Sequence, residues 1–196
     1  MKKLLAILLI IVMFTGCKTA DEPVATLQEP PNDPNVAATE PKLSRSIAVP
    51  DFDNEESLFA EIAMDPDNPY FVGLTEIYRP SVIPEGYKLS RITACAEVVE
   101  YVYSNNQGEA LMFIWERDVP AQDALESRNK WLDYGATSHK KTKIKGVEYL
   151  ILIYEDEGFF MAWVEDGKSF WAAPTDINIT EKEMLAFCKY ETVKVP

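Results

Sequence analysis

After Pro69 the chain alternates apolar and polar residues with a period of two, broken by turn-forming clusters, and this pattern predicts a strand-rich domain. Runs near residues 87–94, 96–104, 109–117, 139–145, 147–154, 159–165 and 168–173 read as strands. Asn105-Asn106-Gln107-Gly108, Glu155-Asp156-Glu157-Gly158 and Glu165-Asp166-Gly167 carry hairpin turn chemistry, so several connections are short and the pairing is antiparallel. Three stretches follow a helical period instead. Asn54 suits the cap of a short helix with Glu55 and Glu56 in its first turn and Leu58, Phe59 and Ile62 on one side, ended by Asp65-Pro66. A second helix is expected over about 121–133, with Ala121, Ala124, Leu125 and Leu132 along one side and Trp131 beside them. A third, over about 181–190, starts with a Thr180/Glu183 capping box and turns Met184, Leu185 and Cys188 inward.

Tyr103…Gly108…Trp115 before one helix echoes Tyr154…Gly158…Trp163 before the other, which suggests two β-meander-plus-helix halves. The expected fold class is α+β, an antiparallel sheet with helices packed on one face.

The first 53 residues follow another logic. Lys2 and Lys3, an eleven-residue apolar run from Leu4 to Phe14, and small residues before Cys17 form a secretory leader over residues 1–16. The run is too short for a membrane-spanning helix, which takes about 20 residues. Phe14-Thr15-Gly16-Cys17 resembles the bacterial lipobox, whose cysteine becomes the lipidated first residue of the mature protein. Cys17 is thus the expected attachment point to a cell membrane, facing the extracytoplasmic side, with two or more acyl chains holding the protein stably where one would not. Residues 17–53 hold Pro23, Pro30, Pro31, Pro34, Pro41 and Pro50 with scattered acids. Proline-rich sequence with sparse apolar content cannot offset the entropy of ordering, so this stretch reads as a disordered tether before a globular part at 54–196.

Charge narrows the partners. There are 32 acidic against 19 basic side chains, for a net charge of −13, and removing the leader takes away two lysines to leave 17 against 32, or −15. Such a body is repelled by nucleic acid and by anionic headgroups. A monomer standing off the membrane is expected, with an envelope polymer or a protein as partner.

Tyr78–Leu89 reads YRPSVIPEGYKL. Pro80 and Pro84 hold the preceding residues extended, and Pro84 and Gly86 suit the second and last positions of a turn before a strand at Tyr87. The segment resembles the opening of a bacterial family known as domain of unknown function 4367. The likeness continues through Gly146–Tyr149, Trp163, Gly167 and the helix around Glu183, Met184 and Leu185, over about residues 74–193. The resemblance implies an extracytoplasmic domain of the kind carried by lipoproteins and membrane-tethered regulators similar to anti-sigma factors. It brings no catalytic residue.

Candidate chemistry is sparse. Cys95 and Cys188 are an even pair in an exported chain and are candidates for a disulfide or for two buried thiols. His139 is the single histidine and adjoins Lys140, Lys141, Lys143 and Lys145; neighbouring positive charge disfavours imidazolium, and an ordinary zinc site needs further ligands. Lys141, Lys143 and Lys145 would share one strand face, as an anion-binding row or as lysines guarding an edge. Trp115, Trp163 and Trp171 are candidates for an aromatic platform, because Phe159-Phe160 and Phe170-Trp171 must send rings to both faces; helices covering both faces are the alternative. Asp65-x-Asp67-Asn68 lacks the glycine and distant glutamate of a calcium loop, so neither a metal nor a cofactor is expected. The sequence thus reads as a membrane-anchored binding or sensor-like module, with an envelope hydrolase using a carboxylate pair as the alternative. If Cys17 carries the anchor, Cys17→Ser releases the protein from membranes in fractionated cells; unchanged retention contradicts lipidation there.

Overall fold

The computed structural model describes residues 49–133, 136–154, 158–175 and 179–196. The leader, Cys17, the tether up to residue 48 and the turn acids Glu155, Asp156 and Glu157 lie outside the described residues.

Two antiparallel meanders form one sheet. The first comprises β3 (Lys88–Ala94), β4 (Val98–Ser104) and β5 (Ala110–Glu116), with β1 (Asp51–Phe52) added along β3. The second comprises β6 (Ser138–Ile144), β7 (Val147–Tyr154), β8 (Gly158–Glu165) and β9 (Lys168–Pro174). They join where β5 pairs with β9, Phe113 opposite Ala172 and Trp115 opposite Phe170, giving the order β1-β3-β4-β5-β9-β8-β7-β6. A separate ribbon pairs β2 (Glu76–Pro80) with β10 (Tyr190–Lys194), from Glu76 opposite Lys194 to Pro80 opposite Tyr190. The helices are α1 (Glu55–Met64), α2 (Ala124–Lys130), continued by a 3-10 turn over Trp131–Asp133, and α3 (Glu181–Phe187).

Local chemistry sets several of these bounds. Asn54 Oδ1 accepts from the Ser57 amide at 2.9 Å and starts α1, and Thr180 and Glu183 form the capping box of α3. Asp166-Gly167, both at positive φ, close the β8–β9 hairpin with the backbone twist that two-residue turns require. Gly167 is further constrained, because a Cβ there would stand 2.9 Å from Cβ of Ala121.

Both faces of the sheet are covered, not one. On the first face Tyr101, Phe113, Trp163 and Phe170 are buried under Leu58 of α1, Ile77 of β2, and Met184 and Phe187 of α3. On the second, Ile114, Leu150, Leu152, Phe160, Ala162 and Trp171 lie under Trp131, whose ring centroid is 4.6 Å from that of Phe160 and 5.5 Å from that of Trp171. The cause is the strand period. Adjacent aromatics such as Phe170 and Trp171 point to opposite sides, and each side needs its own cover. The two halves are therefore not equivalent: a three-stranded meander leads to a helix on the second face, and a four-stranded one leads to a helix on the first.

The inward side of α2 also differs from expectation. Ala124, Ser127, Arg128 and Trp131 are buried at helical spacing, whereas Leu125 and Leu132 are 54% and 36% exposed. Ser127 Oγ donates to buried Glu116 at 2.7 Å, and Arg128 Nη1 donates to the carbonyl and carboxylate of Glu148, so polar partners beneath the helix set its rotation. Cys95 and Cys188 are separate buried thiols, not a disulfide. Cys95 Sγ donates to Glu97 at 3.1 Å, while Cys188 sits against Met161 in the first-face core, where burial pushes its pKa well up.

Trp163→Ala and Trp171→Ala, on opposite faces, should each cost about 3–5 kcal/mol in urea unfolding. Leu125→Ala should cost less than about 0.5 kcal/mol. A near-neutral result at either tryptophan would place that face outside the core.

Candidate functional site

The cover of the first face is built from three pieces, and they meet at Arg79. β2 carries Arg79 within the YRPSVIPEGYKL segment, and the chain stays beside β10 one step further, where the Ser81 amide donates to the Lys189 carbonyl at 2.8 Å. The segment then turns back. The Tyr87 amide donates to the Pro84 carbonyl and Gly86 sits at φ 86°, so Pro84 holds the first position of the turn and Gly86 the third, one place earlier than the sequence suggested.

Arg79 divides its guanidinium between two carboxylates. Nη1 donates to Glu55 Oε2 at 2.7 Å, and Nε and Nη2 both lie 2.7 Å from Glu191 Oε1. Glu55 stands in the first turn of α1, where the helix dipole favours negative charge, and its other oxygen accepts from the Tyr101 hydroxyl at 2.9 Å. Burial works against the charged guanidinium, but its bonds to Glu191 and Glu55 prevail and hold Arg79 above its ordinary pKa. Burial, with Glu55 nearby, pushes the Tyr101 and Tyr103 phenols well above their usual range, so both remain protonated donors at neutral pH.

Around Arg79 opens a cleft of about 450 Å³. Asn54 and Glu55 form its α1 side, Glu191 its β10 side, and Leu89 and Tyr103 its floor on β3 and β4. The remaining wall is the motif itself, with Pro80, Ser81 and Ile83 beside Arg79. Ile83 and its neighbour Val82 are 36% and 41% exposed at the rim. Chemically the cleft offers a cation in a fork geometry, a phenol and apolar walls.

The residues singled out in the sequence fall elsewhere. Trp115 and Trp163 face the first side and Trp171 the second; Trp163 is 0% and Trp171 2% exposed, so the three make no aromatic platform. Lys141 and Lys143 share a face of β6, but Lys145 leaves the row, because at φ 50° it forms the two-residue turn together with Gly146. Lys141 pairs with Glu148 at 3.6 Å, and Lys140 on the other face with Glu181. His139 is exposed on the same strand. Asp65 and Asn68 make a turn, with Asn68 Oδ1 accepting from the Tyr70 amide. Among the described residues no cluster of three His, Cys, Asp or Glu side chains is placed to hold a metal ion.

Arg79, Glu55, Tyr103 and Glu191 were not singled out from sequence. The signal was the motif, which has an arginine between an aromatic and a proline. Its partners come from residues 24 and 112 positions away and could not be read locally.

Compared with known proteins, the chain matches one family model, described as Domain of unknown function (DUF4367), over residues 77–190, more than half of its length. No curated protein and no solved structure matches the chain. The matched span runs from β2 to the start of β10; it contains Arg79 and Tyr103, while Glu55 and Glu191 lie outside it.

Arg79→Gln would leave Glu55, whose side chain is 16% exposed, without its cation. A loss of about 1–3 kcal/mol is expected in denaturant unfolding, with faster amide exchange in α1. An unchanged midpoint together with unchanged α1 exchange would show that the pair does not hold the helix.

Proposed function

Since this chain belongs to the family described as domain of unknown function 4367, and the family supplies no activity, we propose a function from the geometry: a lipid-anchored extracytoplasmic module that binds an envelope component or a partner protein in the Arg79 cleft. The observation that carries this reading is that the segment from Arg79 to Ile83, inside the matched family span, forms one wall of the cleft and brings the Arg79 guanidinium there. Apolar walls with a few convergent polar groups are what small-ligand and peptide-end sites are made of. The leader-like start, the Cys17 lipobox and the proline-rich stretch support a body held outside the membrane on a tether.

The hydrolase alternative has a specific point of support, since two carboxylates, Glu55 and Glu191, flank one cleft. Acid–base hydrolysis needs one of such a pair to carry a proton while the other stays ionised. Here both carboxylates are engaged by one guanidinium instead of facing each other across an open cleft, so binding is the better reading.

A photo-crosslinking residue at position 83, on the rim of the cleft, should give a discrete adduct in intact cells that Arg79→Gln abolishes, while the same residue at position 125, exposed on α2, should not. Identical adducts from both positions, or none from 83, would contradict a binding role for this cleft.

A further inference from the structure

The two sides of Arg79 are not alike. Glu55 is tied down by Tyr101 and its side chain is 16% exposed, so it belongs to the framework. Glu191 is half exposed and reaches the Nε and Nη2 edge with a single oxygen. That edge carries two parallel N–H donors, the arrangement that receives both oxygens of one carboxylate. Glu191 therefore satisfies it incompletely, through a half-exposed pair of the weak kind.

Tyr103 supplies a second, independent feature. It is 6% exposed, its ring packs on Tyr101 and Phe187 at 6.3 and 5.7 Å, and it lines the cleft. Its hydroxyl has no hydrogen-bond partner among the described residues, and it is not sealed in the core but reached by solvent. The donor is thus left for something that enters.

We propose that Arg79 and Tyr103 receive the carboxylate of a monoanionic ligand with an apolar body, and that Glu191 holds the place of that carboxylate until the ligand displaces it. The inference rests on the binding reading above and names the ligand class of the same cleft. Pro80, Ile83 and Leu89 would take the apolar body. The exchange keeps one carboxylate on the guanidinium edge and adds a single negative charge beside the displaced Glu191, whereas a polyanion would add several there, in a chain of net charge −13. Two sources share this chemistry: a peptide ending in an apolar residue with a free C-terminus, and a fatty acid.

Calorimetric titration of the full chain with N-acetyl-Leu-Phe, its C-terminal amide and octanoate tests the inference. The acid should bind at least about tenfold more tightly than the amide. Glu191→Gln should tighten the acid about threefold by removing the competitor, a gain that misfolding cannot mimic. Tyr103→Phe and Arg79→Lys should weaken it, the latter because a point charge does not replace the fork. Tighter binding of octanoate than of the peptide acid assigns the fatty source, and the reverse order assigns the peptide; either order supports the shared chemistry. Equal affinity of acid and amide, or no gain from Glu191→Gln, overturns the inference, as does failure of both acids to bind. These failures leave the binding reading to the in-cell crosslink at position 83, whose loss would overturn that reading separately.

Discussion

The pairing of β5 with β9 is the constraint on which the rest depends. It joins two meanders that the chain completes nearly sixty residues apart, and it brings Phe113, Trp115, Phe170 and Trp171 into one neighbourhood. Strand geometry then sends Phe113 and Phe170 to one side and Ile114 and Trp171 to the other. A sheet so loaded with rings is unstable against water on either face, so two separate covers are required. The second face needs only α2 and Trp131. The first needs α1, α3 and the β2–β10 ribbon together.

A cover made of three pieces has seams, and the cleft lies at one of them. Arg79 stands where α1, β2 and β10 come together, and its two carboxylates arrive from segments before and after the matched family span. Closing the seam with apolar side chains would have been cheaper than burying part of an ion pair. The arrangement left instead is polar at its centre and apolar along its walls, and the proposed binding role rests on that contrast.

Much of the fold was legible from the sequence. Seven strands lie within a residue or two of the runs that alternation marked, because a half-buried antiparallel strand writes its period directly into the chain. The Asn54 cap and the Thr180 capping box were legible for the same local reason. β2 and β10 were not. Each is five residues long, and their pairing is between segments more than a hundred residues apart, so neither carries a local signal of its own. Leu125 and Leu132 misled because they are the more apolar residues of α2 and its 3-10 extension, yet Ser127 has buried Glu116, and Arg128 has Glu148, as partners on the sheet, and these two take the inward side. The platform of three tryptophans failed on parity: Trp163 and Trp171 point to opposite faces. For the site, the motif was visible but its meaning was not, since what turns Arg79 into a focus is the arrival of Glu55, Tyr103 and Glu191 from three other elements.

The central claim is that both faces of the sheet are closed among the described residues, with the Arg79 cleft at a seam of the first cover. Indole N–H exchange, resolved by NMR for the four tryptophans, tests it most directly. Slow exchange at Trp131, Trp163 and Trp171 alike is the predicted result. Rapid exchange at Trp163 or at Trp171 would leave one face open to solvent and contradict the account.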